Sequence, residues 1–370
     1  MGKKFYLTII SLLFFLLSGF PQNSNNSNLE SKKDKLQAES RKYYIDYISI
    51  EGNKRTKSSV ILRELLFEQG DSIYNNQIER SIQRSKENLI NTSLFNYVTI
   101  IFLKQSDNKI NISISVEERW YTWPIPILEH ADRNLSSWLR RKDMSMINYG
   151  ISALQENFRG RRELFKIKAR FGFKEQYSLL YIKPFIDKNK KHGLAVEIAY
   201  NRQKRIIVNT KENKPNYLTG NDDYLLNYFY TYIYYIYRPR LNSSHVISAG
   251  YNDVNTNKII QDHNPWFNLE GEDRMVYNTL SYDFIRDLRD LQVYPLRGSF
   301  INLGIKKQGL GINTTSPNLL KFSMTYRKYY CPIKRFYFAH DLSAKKSIGK
   351  YEPYFLSRGM GYDKIGRAHV

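Results

Sequence analysis

Glu163-Leu-Phe-Lys-Ile-Lys-Ala-Arg-Phe-Gly-Phe173 is the stretch that decides the fold. Side chains alternate across a strand with period two, so Phe165, Ile167, Ala169, Phe171 and Phe173 share one face. Lys166, Lys168, Arg170 and Gly172 share the other. One face is oily and its reverse is cationic. The pattern recurs in Leu194, Val196, Ile198 and Tyr200 against Ala195, Glu197, Ala199 and Asn201. It returns in Ile301, Leu303 and Ile305, and again in Leu320, Phe322, Met324 and Tyr326 against Lys321, Ser323, Thr325 and Arg327. Alternation repeated in this way predicts an antiparallel transmembrane β-barrel with lipid outside and a polar lumen inside. A soluble β-sandwich is the rival fold, with the oily faces packed against each other.

Ten strands are expected, at about 147–154, 163–173, 177–186, 193–203, 225–237, 244–252, 275–285, 299–307, 320–330 and 336–346. A strand of about ten residues, rising ~3.3 Å each and tilted by ~45°, spans the apolar band of such a barrel. Connections alternate loosely between short (188–191) and long (205–223 and 256–273). Tyr228, Tyr230, Tyr232 and Tyr234 lie on one strand face and fit an aromatic girdle at the membrane boundary. Lys166, Lys168 and Arg170 are expected to face the lumen.

The charge is 57 − 35 = +22, with 30 Tyr and 4 Trp among 370 residues. A basic, aromatic chain is compatible with nucleic acid, but the N-terminus points to export instead. Met1-Gly-Lys-Lys4 followed by the apolar run Phe5 to Phe20 reads as a secretory signal peptide over 1–22. Residues 23–42 read as a flexible linker, polar and poor in apolar side chains. One cysteine, Cys331, excludes an internal disulfide, and no Cys/His cluster suggests a metal. Nucleophile elbows, zinc-protease helices and phosphate loops are absent from the sequence, so neither an enzyme nor a cofactor is expected.

Between linker and barrel lies a compact αβ unit at 43–118. A strand ends at Gly52-Asn53, and Val60, Ile61, Leu65 and Leu66 follow at helical spacing. A second helix covers 75–91 with Ile78, Ile82 and Leu89 on one side. Two strands close the unit, 95–103 and 109–117, the latter alternating Ile110, Ile112, Ile114 and Val116 with Asn111, Ser113, Ser115 and Glu117. In the strand–helix–helix–strand–strand order, Ile48-Ser-Ile-Glu-Gly-Asn53, Phe67-Glu-Gln-Gly-Asp71 and Val116-Glu-Glu118 resemble a POTRA domain. This is the periplasmic module of the BamA outer-membrane assembly superfamily. Residues 119–146, aromatic and containing Pro124 and Pro126, read as a connector to the membrane.

Tyr294-Pro-Leu-Arg-Gly298 is similar to the Pro-x-x-Gly turn of BamA-type barrels, in the form called the bacterial surface antigen domain. Asn157-Phe-Arg-Gly160 is similar to the early hairpin of that family. Tyr294, Pro295, Arg297 and Gly298 are thus expected at a barrel turn. The resemblance implies sixteen strands and a later Arg-Gly-aromatic lumen loop. Here Arg358-Gly359 is followed by Met360, so 147–363 reads as a partial barrel, truncated at its C-terminal side, with 364–370 a non-native tail.

The resemblance also implies an activity. The expectation is an outer-membrane protein of a Gram-negative bacterium, with its POTRA domain in the periplasm. The edge strand, at Tyr97, Thr99, Ile101 and Leu103, would bind unfolded outer-membrane clients by strand addition and assist their insertion. Periplasmic chaperones, accessory lipoproteins and outer-membrane lipid are the implied partners, and nucleic acid is not one. Two alternatives stay open: a polypeptide secretion pore of the same superfamily, and a passive anion-preferring porin.

Overall fold

The computed structural model describes residues 41–106, 108–130, 147–212, 214–220, 223–310 and 316–357. The expected signal peptide, nearly all of the linker, residues 131–146 of the connector, Arg358-Gly359 and the tail lie outside them.

The first unit is a four-stranded sheet in the order β2-β1-β4-β3, covered by two helices. Its elements are β1 (Lys42–Glu51), α1 (Ser58–Arg63), β2 (Ser72–Tyr74), α2 (Asn75–Asn91), β3 (Phe95–Ser106) and β4 (Lys109–Glu118). β1 runs parallel to β4, and β3 runs antiparallel to it. β1 carries apolar residues in two phases, Tyr43 and Ile45 and then Ile48 and Ile50. A register shift between Ile45 and Tyr47 turns both sets toward the core. Simple alternation could not have placed them together. Ile61, Leu89, Ile110 and Ile114 fill the centre with no exposed surface. α1 is shorter than its apolar spacing predicts, because the chain leaves the helix at Glu64.

The second unit is an eleven-stranded antiparallel sheet. It comprises β5 (Thr122–His130), β6 (Ile147–Phe158), β7 (Glu163–Gly172), β8 (Lys174–Lys183), β9 (His192–Gln203), β12 (Leu226–Arg240), β13 (Ser243–Thr256), β14 (Arg274–Asp287), β15 (Gly298–Gln308), β16 (Leu319–Ile333) and β17 (Phe336–Ile348). All ten expected strands are present. The eleventh, β5, occupies part of the expected connector. Its two prolines sit at an end of the sheet, where among the described residues β5 pairs with β6 alone, so a missing N–H breaks no ladder.

Neighbouring strands place a continuous apolar outer face through the pairs Ala153↔Ile167, Ile167↔Leu179, Leu179↔Ile198 and Val196↔Ile233. It continues through Ala249↔Leu280, Leu303↔Met324 and Tyr326↔Leu342. Ile233 on this face is 58% exposed, whereas Asn252 and Thr279 on the reverse are fully buried. A polar interior and a greasy exterior exclude the sandwich, which buries the opposite faces. No helix among the described residues is long and apolar enough to cross a membrane.

The connections separate cleanly. Those at one end, near the first unit, are the turns at 159–162, 184–191, 241–242, 288–297 and 334–335. The opposite end carries the hairpin of β10 (Arg205–Lys211) and β11 (Lys214–Thr219), α3 (Ile259–His263) and a short 3-10 turn, Tyr354–Leu356. These excursions share a second hydrophobic core, in which Val208, Ile260, Phe267 and Leu356 pack on Val254, Met275 and Tyr277 of the inner wall. Lys321 on that wall donates to the carbonyl of Leu356 at 2.8 Å and pairs with Glu352 at 2.7 Å. The described parts of the long connections at 205–223 and 256–273 thus form a packed cap.

Candidate functional site: a POTRA edge and its junction with the sheet

Among the described residues β3 is one end of the four-stranded sheet and pairs only with β4. Its inward side chains, Val98 and Ile100, anchor it in the core, while Tyr97, Thr99, Ile101 and Leu103 point away. Tyr97, Ile101 and Leu103 are 71%, 50% and 58% exposed, on a strand with one unpaired edge. Such an edge is a template for another extended chain unless it is covered or charged.

The unit is fixed against the near end of the large sheet. Glu64, just past α1, has a side chain only 1% exposed. It receives two bonds from Arg238 at the foot of β12, 2.7 and 3.0 Å, and one from Arg162 in the β6–β7 turn, 3.2 Å. Burial alone would raise the Glu64 pKa, but Arg238 and Arg162, with Arg63 nearby, outweigh it and hold the carboxyl below its ordinary value. Asn157 donates to Thr56 at 2.8 Å, and the Thr56 and Tyr121 hydroxyls lie 3.1 Å apart. Lys57 N–H donates to the carbonyl of Gly160 at 2.9 Å. The early hairpin therefore docks the first unit as well as turning the chain.

A second contact comes from α2. Asn91 donates to the carbonyl of Asp290 at 2.8 Å and accepts from the N–H of Gln292 at 2.8 Å, and Arg84 donates to the carbonyl of Arg289 at 3.1 Å. This segment contains Tyr294, Pro295, Arg297 and Gly298. It is a ten-residue loop (288–297) rather than a tight turn. The Asp290 carboxylate holds it together by accepting the N–H groups of Leu291, Leu296 and Arg297 at 2.9–3.2 Å. Gly298 closes the loop at φ +108°, with the carbonyl oxygen of Leu288 2.2 Å from where a Cβ would stand. Between the two contacts lies a cavity of about 420 Å³, lined by Glu64, Arg84, Arg162, Arg238 and Arg289 among others.

Lys166, Lys168 and Arg170 fall on the inner face, in register with Leu154, Ser152 and Gly150 of β6. Arg170 reaches Glu129 at 3.4 Å. Tyr228, Tyr230, Tyr232 and Tyr234 of β12 are on this face too, which corrects the girdle expectation: Tyr230 stands opposite Ala199, which stands opposite Ser178, itself opposite Lys168. Their hydroxyls meet polar partners. Tyr230 and Tyr234 donate to the two oxygens of Glu197 at 3.1 and 2.9 Å, and Tyr228 and Tyr232 to Asn252 at 2.8 and 3.1 Å. A hydroxyl on every second residue has no such partners in lipid. The outward members of that strand are Phe229, Thr231, Ile233 and Tyr235.

Glu64, Arg162 and Arg238 are spread over 174 positions and were not visible as a site in the sequence. The one signal was a carboxylate inside the apolar run from Val60 to Leu66.

The fold and junction define a protein class: a small αβ module with a free strand edge, seated on the mouth of a barrel-type β-sheet. Residues 43–119 match the POTRA family, described as a surface antigen variable number repeat, and this segment is a POTRA domain. The chain therefore carries a POTRA domain leading into an antiparallel barrel-type sheet. Its fold is similar to that of BamA from Haemophilus ducreyi lacking POTRA domains 1–3, at 16% identity and a TM-score of 0.45, covering 86% of this chain and 59% of that one. It is also similar to CdiB from Escherichia coli (8% identity, TM-score 0.47, 86% and 56% covered) and CdiB from Acinetobacter baumannii (10%, 0.44, 84% and 54%). The chain thus spans little more than half the length of these solved structures. No curated protein matches it.

Proposed function

We propose that the protein is an outer-membrane factor of BamA type that captures unfolded outer-membrane polypeptides on the β3 edge of its POTRA domain and assists their insertion. The observation that carries this reading is the unpaired β3 edge, with Tyr97, Thr99, Ile101 and Leu103 exposed on a domain docked at the mouth of the sheet. Backbone hydrogen bonds hold any extended client, and the apolar side chains add affinity without a strict sequence code. Binding and templating of this kind need no covalent chemistry and no cofactor. The packed cap at the far end supports a gated path over a permanently open porin.

Photo-crosslinkers at Tyr97 and Leu103, in the full chain reconstituted in lipid, test the reading. Crosslinks to an unfolded β-barrel client are expected, and Thr99→Pro or Ile101→Pro should reduce them at least tenfold by removing an N–H and distorting the edge. Unchanged crosslinking in both variants would remove strand addition. A second reading, a secretion pore, is favoured by the basic inner wall at Lys166, Lys168 and Arg170. Translocation of an added passenger into sealed vesicles, lost on neutralising those three residues, would select it.

A further inference from the structure

Three of the six histidines lie on the outer face of the sheet, and each makes the same contact. His192 Nδ1 is 2.6 Å from the Tyr235 hydroxyl, His245 Nδ1 is 2.8 Å from that of Tyr282, and His340 Nε2 is 2.8 Å from that of Tyr330. The rings also stack or tilt together, with centroids 5.9, 6.0 and 5.4 Å apart. The three pairs sit on β9/β12, β13/β14 and β16/β17, all toward the POTRA end. Their level is joined by the cross-strand pairs His192↔Tyr237, Tyr237↔His245 and His245↔Phe284. The first two pairs thus share one register line, and His340–Tyr330 lies at the same end of the sheet, near the 334–335 turn.

Basic residues share that end and face. Lys183 stands opposite Leu194, Arg286 opposite Ile301, and Lys328 opposite His340. The acidic side chains in the neighbouring strand segments, Asp283, Asp287 and Asp341, point to the inner face, Asp283 in register with Gly304, Asp287 paired with Arg289 at 2.7 Å and Asp341 with Arg327 at 3.0 Å, while Asp187 in the 184–191 turn accepts the N–H of His192 at 2.8 Å. Farther from the POTRA end the outer face turns apolar at Ile198, Ile233, Leu280 and Leu303, and charge returns toward the far end at Lys307, opposite Leu280, and Lys346, opposite Phe322. An amphipathic ring that is hydrogen-bonding, aromatic and cationic, bordering an apolar band, matches the headgroup level of a bilayer.

We infer that the His192–Tyr235, His245–Tyr282 and His340–Tyr330 pairs, with Lys183, Arg286 and Lys328, form a binding ring for the phosphate-bearing headgroups of anionic phospholipid in the leaflet nearest the POTRA domain. Each tyrosine orients one imidazole nitrogen and leaves the ring's second nitrogen as a further polar atom for a phosphate oxygen. The basic side chains supply attraction that a zwitterionic headgroup answers only in part. The inference rests on the membrane-spanning reading of the sheet.

The test compares full-length protein in vesicles of phosphatidylcholine with and without 20–30% phosphatidylglycerol (a proportion of about that size), together with native mass spectrometry of detergent-released protein to count retained lipids. Retained phosphatidylglycerol is expected to exceed phosphatidylcholine at least fivefold. The triple variant Lys183→Gln/Arg286→Gln/Lys328→Gln should lose most of that preference, and His192→Phe/His245→Phe/His340→Phe a smaller part. Since the wild-type comparison needs no variant to fold, equal retention of the two lipids overturns the inference even if the variants misassemble. Displacement of the lipid by millimolar inorganic phosphate would reassign the ring to free phosphate and overturn it as well. A chain that enters vesicles without headgroup preference defeats this inference alone. A chain that does not enter them defeats the spanning reading along with it.

Discussion

Glu64 and Arg238, 174 residues apart, meet in a two-bonded ion pair, Nη1 to Oε1 at 2.7 Å and Nη2 to Oε2 at 3.0 Å. Planar guanidinium and carboxylate match in this geometry, and the pair fixes orientation as well as distance. A domain joined to the sheet through the single covalent passage at β5 thereby acquires a defined pose.

Replacing Glu64 with Gln should release that pose. Arg162 and Arg238 would remain partly buried without a counter-charge, and breaking a buried pair from one side costs about 3–5 kcal/mol. Amide hydrogen exchange in the 159–162 turn and the 288–297 loop should speed up at least tenfold, with the POTRA core still protected. Unaltered exchange at both places would show that the Asn91 and Thr56 contacts suffice.

The same carboxylate gives docking a pH dependence of definite sign. Its folded pKa is depressed, with burial opposing and the arginines prevailing. Its contribution is therefore fully present above the unfolded value, near 4.5, and is lost as pH falls through the lower folded value. Energy transfer between dyes on the POTRA domain and the 334–335 turn should stay constant from pH 7 to about 5, then fall in acid. Glu64→Gln should abolish that step.

Asp290→Ala should unfasten the 288–297 loop. One carboxylate oxygen accepts three backbone N–H groups there, and leaving them unsatisfied costs about 1–3 kcal/mol. Trypsin cleavage after Arg289 or Arg297 should become markedly faster, whereas Asp290→Asn, which keeps an acceptor oxygen, should behave nearly as wild type.

Gly250 of β13 faces the Tyr232 ring of β12, where a Cβ would lie 2.3 Å from the ring's Cε1 atom. Valine at this position should push the ring out of the tyrosine ladder, break its bond to Asn252 and destabilise the sheet by about 1–3 kcal/mol. Heat-modifiable migration on a gel reads this directly. A variant with an unshifted transition would mean that the ladder contributes little to assembly.

How far the sequence reaches differs from one part of the chain to another. The two helices and three longer strands of the POTRA domain were legible because apolar spacing is a local property, and so were ten of the eleven sheet strands. The three-residue β2 between the helices is too short to show a period and appears only through its pairing with β1. β5 was not legible either, since its two prolines argue against a strand until an open edge is available to receive them. The phase change in β1 was equally hidden: a bulge is visible only when a partner strand shows which side chains share a core. The loop at Tyr294 carried a turn motif, but its contact with Asn91 joins residues 199 positions apart, for which no local pattern exists.

The sequence by itself determined that oily and charged side chains would take opposite faces of these strands, because period two follows from backbone geometry alone. Tertiary structure decided what a tyrosine means. A phenol suits either a lipid boundary or a polar interior, and only the register that brings Glu197 and Asn252 within reach sent Tyr228 to Tyr234 inward. The same holds for Glu64, a misplaced charge in a linear reading and a docking point once Arg162 and Arg238 arrive from distant strands. Solvation forces such groups to find partners, and partners this far along the chain exist only in three dimensions.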